Sequence, residues 1–90
     1  MANWKYTIKI KHLFENMSDP TDEQAVEIGK KVAKVLYREA DKLRTNPQLS
    51  EELADISEAF RDTVDSVESF DSCLDELYNF ADENLIWIGE

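Results

Sequence analysis

An α+β fold, with three helices packed on a small sheet formed by the N- and C-terminal strands, follows from three features of the sequence. Both ends read as strands, the stretch between them carries apolar residues at helical spacing, and loop formers are scarce, with two Gly and two Pro in 90 residues. Two short strands are marginal alone, but paired they offer helices a surface to pack on. The predicted order is β-α-α-α-β in a single domain, residues 1–90. A chain of this size buries roughly 60–65% of its unfolded surface, which allows one modest core.

The first strand is read over residues 4–11. Trp4, Tyr6, Ile8 and Ile10 alternate with Lys5, Thr7, Lys9 and Lys11, a period-2 pattern with one buried and one basic face. His12 to Met17 is a connector with room for a helical turn. Thr21 followed by Gln24 fits a capping box, and Asp22 and Glu23 suit the positive end of a helix dipole. Ala25, Ile28, Val32, Val35, Leu36, Ala40 and Leu43 continue at helical spacing, so helix A is expected over about 21–44. Thr45-Asn46-Pro47 stops it, and Asn46-Pro47 or Ser50 opens helix B.

Leu49, Leu53, Ile56, Phe60, Val64 and Val67 form one stripe of helix B. Phe70, Cys73, Leu74, Leu77 and Ala81 fall off that stripe at ~100° per residue. The change of phase predicts a break between Glu68 and Ser72, where Ser69, Asp71 and Ser72 can cap, and helix C over about 71–83. Asn84 suits a helix terminus. Leu85-Ile86-Trp87-Ile88 is the closing strand, followed by Gly89-Glu90. The predicted core is Ile8, Ile10, Ile28, Val32, Leu36, Leu53, Ile56, Phe60, Leu74, Leu77 and Trp87. Trp4 and Trp87 are expected to meet across the terminal sheet, as cross-strand aromatic pairs do.

Charge is divided unevenly between the halves. Residues 45–90 hold thirteen acids and one base, Arg61, whereas residues 1–44 hold seven acids and nine Lys or Arg. The net charge is −10, a property that bears on partners and association rather than on fold. On helix B, Glu51, Asp55, Glu58, Asp62 and Asp65 recur at spacings of 4, 3, 4 and 3 opposite the apolar stripe. Four like-charged pairs at such spacing cost on the order of 1–2 kcal/mol before screening. Helix C adds Asp71, Asp75, Glu76, Asp82 and Glu83. Two uses are open: a solvated face that keeps the protein soluble, or a docking face for a basic protein, with carboxylates imitating nucleic-acid phosphates.

Helix A has the opposite character. Lys30, Lys31, Lys34, Arg38 and Lys42 share a side with Glu23, Glu27 and Asp41, and Glu27 is placed to pair with Lys31. A mixed solvated surface is one reading; the other is a homo-oligomer in which this basic face meets helices B or C of another copy. Direct nucleic-acid binding is disfavoured, because five bases beside so strong a negative field make a poor phosphate reader.

Motifs of catalysis are missing from the sequence. His12 has no metal-ligand spacing around it, and Cys73 sits on an apolar side as a small buried hydrophobe. No EF-hand or Gly-rich phosphate loop is present. No catalytic, cofactor-binding or metal residues are assigned, and no enzyme activity or cofactor is expected. No apolar run approaches the ~18 residues of a membrane span. The first residues lack the apolar core of a signal peptide, and a single Cys suits a reducing compartment, so the cytoplasm is the expected location.

Trp4-Lys5-Tyr6 and Asp82-Glu83-Asn84-Leu85-Ile86-Trp87-Ile88 resemble the ends of small uncharacterised bacterial proteins. The resemblance implies a bacterial or mobile-element origin and attaches no activity. The sequence thus points to a non-enzymatic acidic binding protein, an inhibitor or nucleic-acid mimic. Its expected contact residues are Glu51, Asp55, Glu58, Asp62, Asp65, Asp75 and Glu76, against a basic protein surface such as that of a nucleic-acid-binding protein. The alternative is a structural or oligomerisation module whose acid serves only solubility.

Overall fold

A computed structural model describes residues 4–89 and has the predicted α+β order. β1 spans Tyr6–Lys9, α1 Asp22–Lys42, α2 Pro47–Asp62, α3 Val67–Glu83 and β2 Ile86–Gly89, with a 3-10 turn at Lys11–Leu13. The expected Glu90 lies outside the described residues. β1 is shorter than the expected 4–11, whereas β2 has the expected four residues and begins one position later than Leu85.

β1 and β2 pair in parallel, Tyr6 opposite Ile86 and Ile8 opposite Ile88. The N–H groups of Lys5 and Ile10 extend the ladder by donating to Leu85 O and Gly89 O at 2.7 and 2.9 Å. Helix directions account for the parallel pairing. The Val67 N–H at the start of α3 donates to Asp22 Oδ1 at the start of α1, at 3.0 Å. One carboxylate therefore serves the positive ends of two helices. α1 and α3 start at the same end, α2 runs back between them, and the last strand lies beside the first in the same direction.

Local chemistry sets most boundaries. Gln24 N–H donates to Thr21 Oγ1 and Thr21 N–H to Gln24 Oε1, at 3.1 and 2.9 Å, which is the expected capping box. Asn46 caps α2 with Pro47 at its first position. At the end of α3, Asn84 Nδ2 donates to Phe80 O at 2.8 Å, and Leu85 turns the chain out in a left-handed conformation, φ 56°.

The predicted break between Glu68 and Ser72 is corrected: α2 ends at Asp62 and Ser66 caps α3. Ser66 Oγ accepts from Ser69 N–H, while Ser69 Oγ accepts from Ser66 N–H, at 3.2 and 3.0 Å. Ser69 is thus the third residue of a capping box, not a cap itself. The apolar phase was misleading because Val64 lies in the connector and Val67 is the first residue of α3.

The buried apolar residues form one cluster drawn from every helix and both strands. Phe60 and Phe70 meet edge to face with centroids 5.6 Å apart, and Phe14 closes on Phe70 at 6.1 Å. Ile8, Ile10, Val32, Leu36, Leu53, Phe60 and Leu77 are fully buried, as predicted. Ile28, Ile56 and Leu74 are only half-buried at its edge. Trp87 is a correction: it is 44% exposed. Ile86 and Ile88 take the inner face of a four-residue strand, so Trp87 points outward. It still meets Trp4, itself exposed, with centroids 5.2 Å apart.

α1 and α2 approach closely and antiparallel. Ser50 Oγ donates to Ala40 O at 2.7 Å and Ser57 Oγ to Ala33 O at 2.8 Å. Gly29 permits the last step of this approach, since a Cβ there would stand 2.9 Å from Phe60 O and 3.3 Å from Val64 Cβ. Tyr6 ties the sheet to α1 by donating its hydroxyl to Glu39 Oε2. Partial burial, this hydrogen bond and the nearby carboxylate push the Tyr6 phenol up to about 12.

Three expectations follow. Gly29→Ala gains helix propensity but overpacks a backbone carbonyl, so it is expected to lower stability by about 1–3 kcal/mol, measured by urea unfolding. Phe60→Ala is expected to cost roughly 3–5 kcal/mol in the same assay. Tyr6 stabilises the fold in its protonated form. Its contribution is full below the unfolded value of 10.0 and is lost as pH rises through about 12. Melts of the parent and Tyr6→Phe should therefore converge between those pH values; a constant gap would contradict the assignment.

A candidate protein-binding face

The seven acids named from the sequence are all exposed, but they do not form one row. Glu51, Asp55 and Glu58 stand on successive turns of α2. Asp62 is its last residue, and Arg61 grips it through Nε and Nη2 at 2.9 and 3.0 Å. That hydrogen bond holds the Asp62 carboxyl below its ordinary value. The sequence row hid this pairing because Arg61 adjoins Asp62 in the chain rather than sitting a turn away. Asp65 lies in the connector, where its N–H donates to Ser69 Oγ at 2.9 Å and its carboxylate accepts from the same hydroxyl at 3.0 Å. It belongs to the turn before α3.

The structure brings Asp55 and Glu76 together. With Glu52 and Glu83 they rim an open groove of about 380 Å³ between α2 and α3, against Ile56, Asn79 and Phe80. None of these four acids forms an ion pair among the described residues. Asp75 is exposed on α3 beside Glu76 but outside the groove lining. Glu51 and Glu58 carry the acidic surface along the outer side of α2. Glu52 lines the groove but falls outside the row of acids opposite the apolar stripe, so that row does not mark it as a contact residue. It lies three residues after Leu49 and four before Ile56, on the flank of that stripe, which is where a groove edge must be. Glu83, seven residues beyond Glu76, follows the same logic on α3.

The chemistry available to this groove is that of a carboxylate rim over an apolar floor. A Lys or Arg side chain can lay its aliphatic stem on Ile56 while its charged end reaches the rim. Among the described residues, no group of three or more His, Cys, Asp or Glu is placed to hold a metal ion. Cys73 is buried with its Sγ 3.6 Å from Thr63 Oγ1, and His12 is exposed.

Basic residues are gathered elsewhere. Lys30, Lys31, Lys34, Arg38 and Lys42 are exposed on α1, where Lys42 Nζ pairs with Glu39 at 3.3 Å. The expected pairing of Glu27 with Lys31 is not formed. Lys11 Nζ stands 5.7 Å from the centre of the Trp87 ring. No helix among the described residues is long and apolar enough to cross a membrane. Comparison with family models, curated proteins and solved structures gave no match.

Proposed function

We propose that this is a non-enzymatic binding protein whose α2–α3 face docks on a basic surface of another protein. The observation that carries the reading is the groove itself: Glu52, Asp55, Glu76 and Glu83 converge on it from two helices, without cations of their own, over half-buried Ile56. A face that served solubility alone would have no need to gather acids around apolar surface. Glu51 and Glu58 extend the negative field along α2, which suits steering of a cationic partner. An inhibitor that occupies the nucleic-acid site of a basic protein is the concrete form of this function. The contact set from the sequence, Glu51, Asp55, Glu58, Asp75 and Glu76, is kept and joined by Glu52 and Glu83. Asp62 and Asp65 are given up to Arg61 and Ser69.

The test begins with capture of partners from a lysate at low salt and their release at high salt. The recovered partner is then titrated with the parent and with the triple variant Asp55→Asn, Glu58→Gln, Glu76→Gln. Affinity is expected to fall about tenfold at low salt, mostly through slower association, and the difference to close at high salt. Thermal stability is expected to hold or rise slightly, by about 0.2–0.5 kcal/mol for each like-charged pair relieved. Unchanged affinity with raised stability would assign the acid to solubility alone.

A further inference from the structure

A second groove, of about 760 Å³, lies between α1 and α2. Ala33 lines its floor, Lys30, Lys34, Arg38 and Arg61 stand around it, and Tyr37, 56% exposed, contributes an aromatic wall. The small residues that let the helices approach also keep this channel open. Its one acid, Asp41, faces Arg44 at 3.7 Å. Lys30, Lys34 and Arg38 form no ion pair among the described residues, in a chain with twenty carboxylates. They also sit at spacings where like charges repel. A cationic face left open in a protein of net charge −10 calls for an anionic occupant.

We propose that the occupant is α2 of a second copy, seated head to tail. The complement is present in the chain at matching intervals. Lys30, Lys34 and Arg38 span ~12 Å of helix, and Glu51, Asp55 and Glu58 span ~10.5 Å, both in steps of about one turn. From α2 the groove is lined by Ser57 and Arg61, whereas the acidic face is Glu51, Asp55 and Glu58, with Glu58 adjoining Arg61 at the boundary. The two surfaces use different residues, so each copy can offer both, which makes the contact heterologous. Far charges of two net-negative copies repel. At about 0.1 M salt the screening length is about 10 Å, which damps that repulsion while adjacent pairs persist. The proposal rests on the reading of the acidic face as a docking surface and adds its regulation. A second copy covers Glu51, Asp55 and Glu58, so a basic partner must displace it, and self-docking makes the free face depend on protein concentration.

The experiment is sedimentation equilibrium of the full chain, with two charge-reversed variants. One carries Lys30→Glu, Lys34→Glu and Arg38→Glu; the other carries Glu51→Lys, Asp55→Lys and Glu58→Lys. The parent's weight-average mass should rise at least about 1.5-fold above the 10.4 kDa monomer as concentration approaches about 1 mM in 0.1 M salt. It should return to the monomer in about 0.5 M salt. Each variant alone should stay monomeric, and their equimolar mixture should associate again. Three reversals move the net charge of −10 by six in either direction, so both variants stay net negative and bulk attraction cannot mimic the result. Circular dichroism checks each fold. If a reversal prevents folding, the corresponding Gln and Asn set replaces it and must abolish parent-type association. A parent that stays monomeric, association that survives 0.5 M salt, or a mixture that fails to associate overturns the proposal. The first variant keeps the acidic face intact. Its binding to a recovered basic partner therefore reports on the proposed function separately from self-docking.

Discussion

The close approach of α1 to α2 is the constraint from which the rest of this molecule follows. Gly29, Ala33 and Ala40 present a small surface, and Ser50 and Ser57 present hydroxyls that would be costly to bury without acceptors. The two serines are seven residues apart and donate to carbonyls seven residues apart, so the bonds fix the register as well as satisfying the hydroxyls. With the backbones this near, Phe60 is directed into the centre. Phe70 then packs against it, which positions α3, and Phe14 against Phe70, which fastens the connector after β1. A larger residue at position 29 would push the Phe60 carbonyl away and disturb each of these contacts in turn.

The same hairpin arranges the charge. α2 is the divide: on its α1 side lies a channel flanked by Lys30, Lys34, Arg38 and Arg61, and on its α3 side a groove rimmed by Glu52, Asp55, Glu76 and Glu83. The ion pairs among the described residues are local, within three positions of each other, and all their members are exposed except Glu39, which is partly buried beneath Lys42. Pairs of that kind add little to stability. Stability therefore comes from the apolar cluster and the helix caps rather than from these surface pairs.

The sheet closes the fold with little area of its own. Two four-residue strands would not hold alone. They persist because Ile8, Ile86 and Ile88 face the helices, and because Tyr6 reaches Glu39 on α1. The outer face is left to Trp4 and Trp87, which shield each other.

Several features were determined by the sequence alone because they depend on residues close in the chain. The capping box of Thr21 and Gln24, the Asn46-Pro47 start of α2 and the strand character of both ends are of this kind. So are the burial of Phe60 and the exposure of the acids on α2, which helical periodicity settles. Other features needed residues far apart to be brought together. The parallel pairing of the strands depends on how three helices return the chain. The start of α3 at Val67 has a local part, the bonds that Ser66 and Ser69 exchange three positions apart, which the apolar phase obscured, and a distant part, Asp22 arriving from forty-five positions away. Trp87 looked like core because tryptophan is large and apolar, yet a short strand gives only one face to the interior. The acidic row was legible as exposed charge, but not its division. Asp62 turns to its neighbour Arg61 and Asp65 to Ser69 through local contacts that a helical wheel does not display, whereas only folding joined Asp55 to Glu76 across two helices. Periodicity reports which way a side chain faces from its own helix; it carries no information on which other helix stands there.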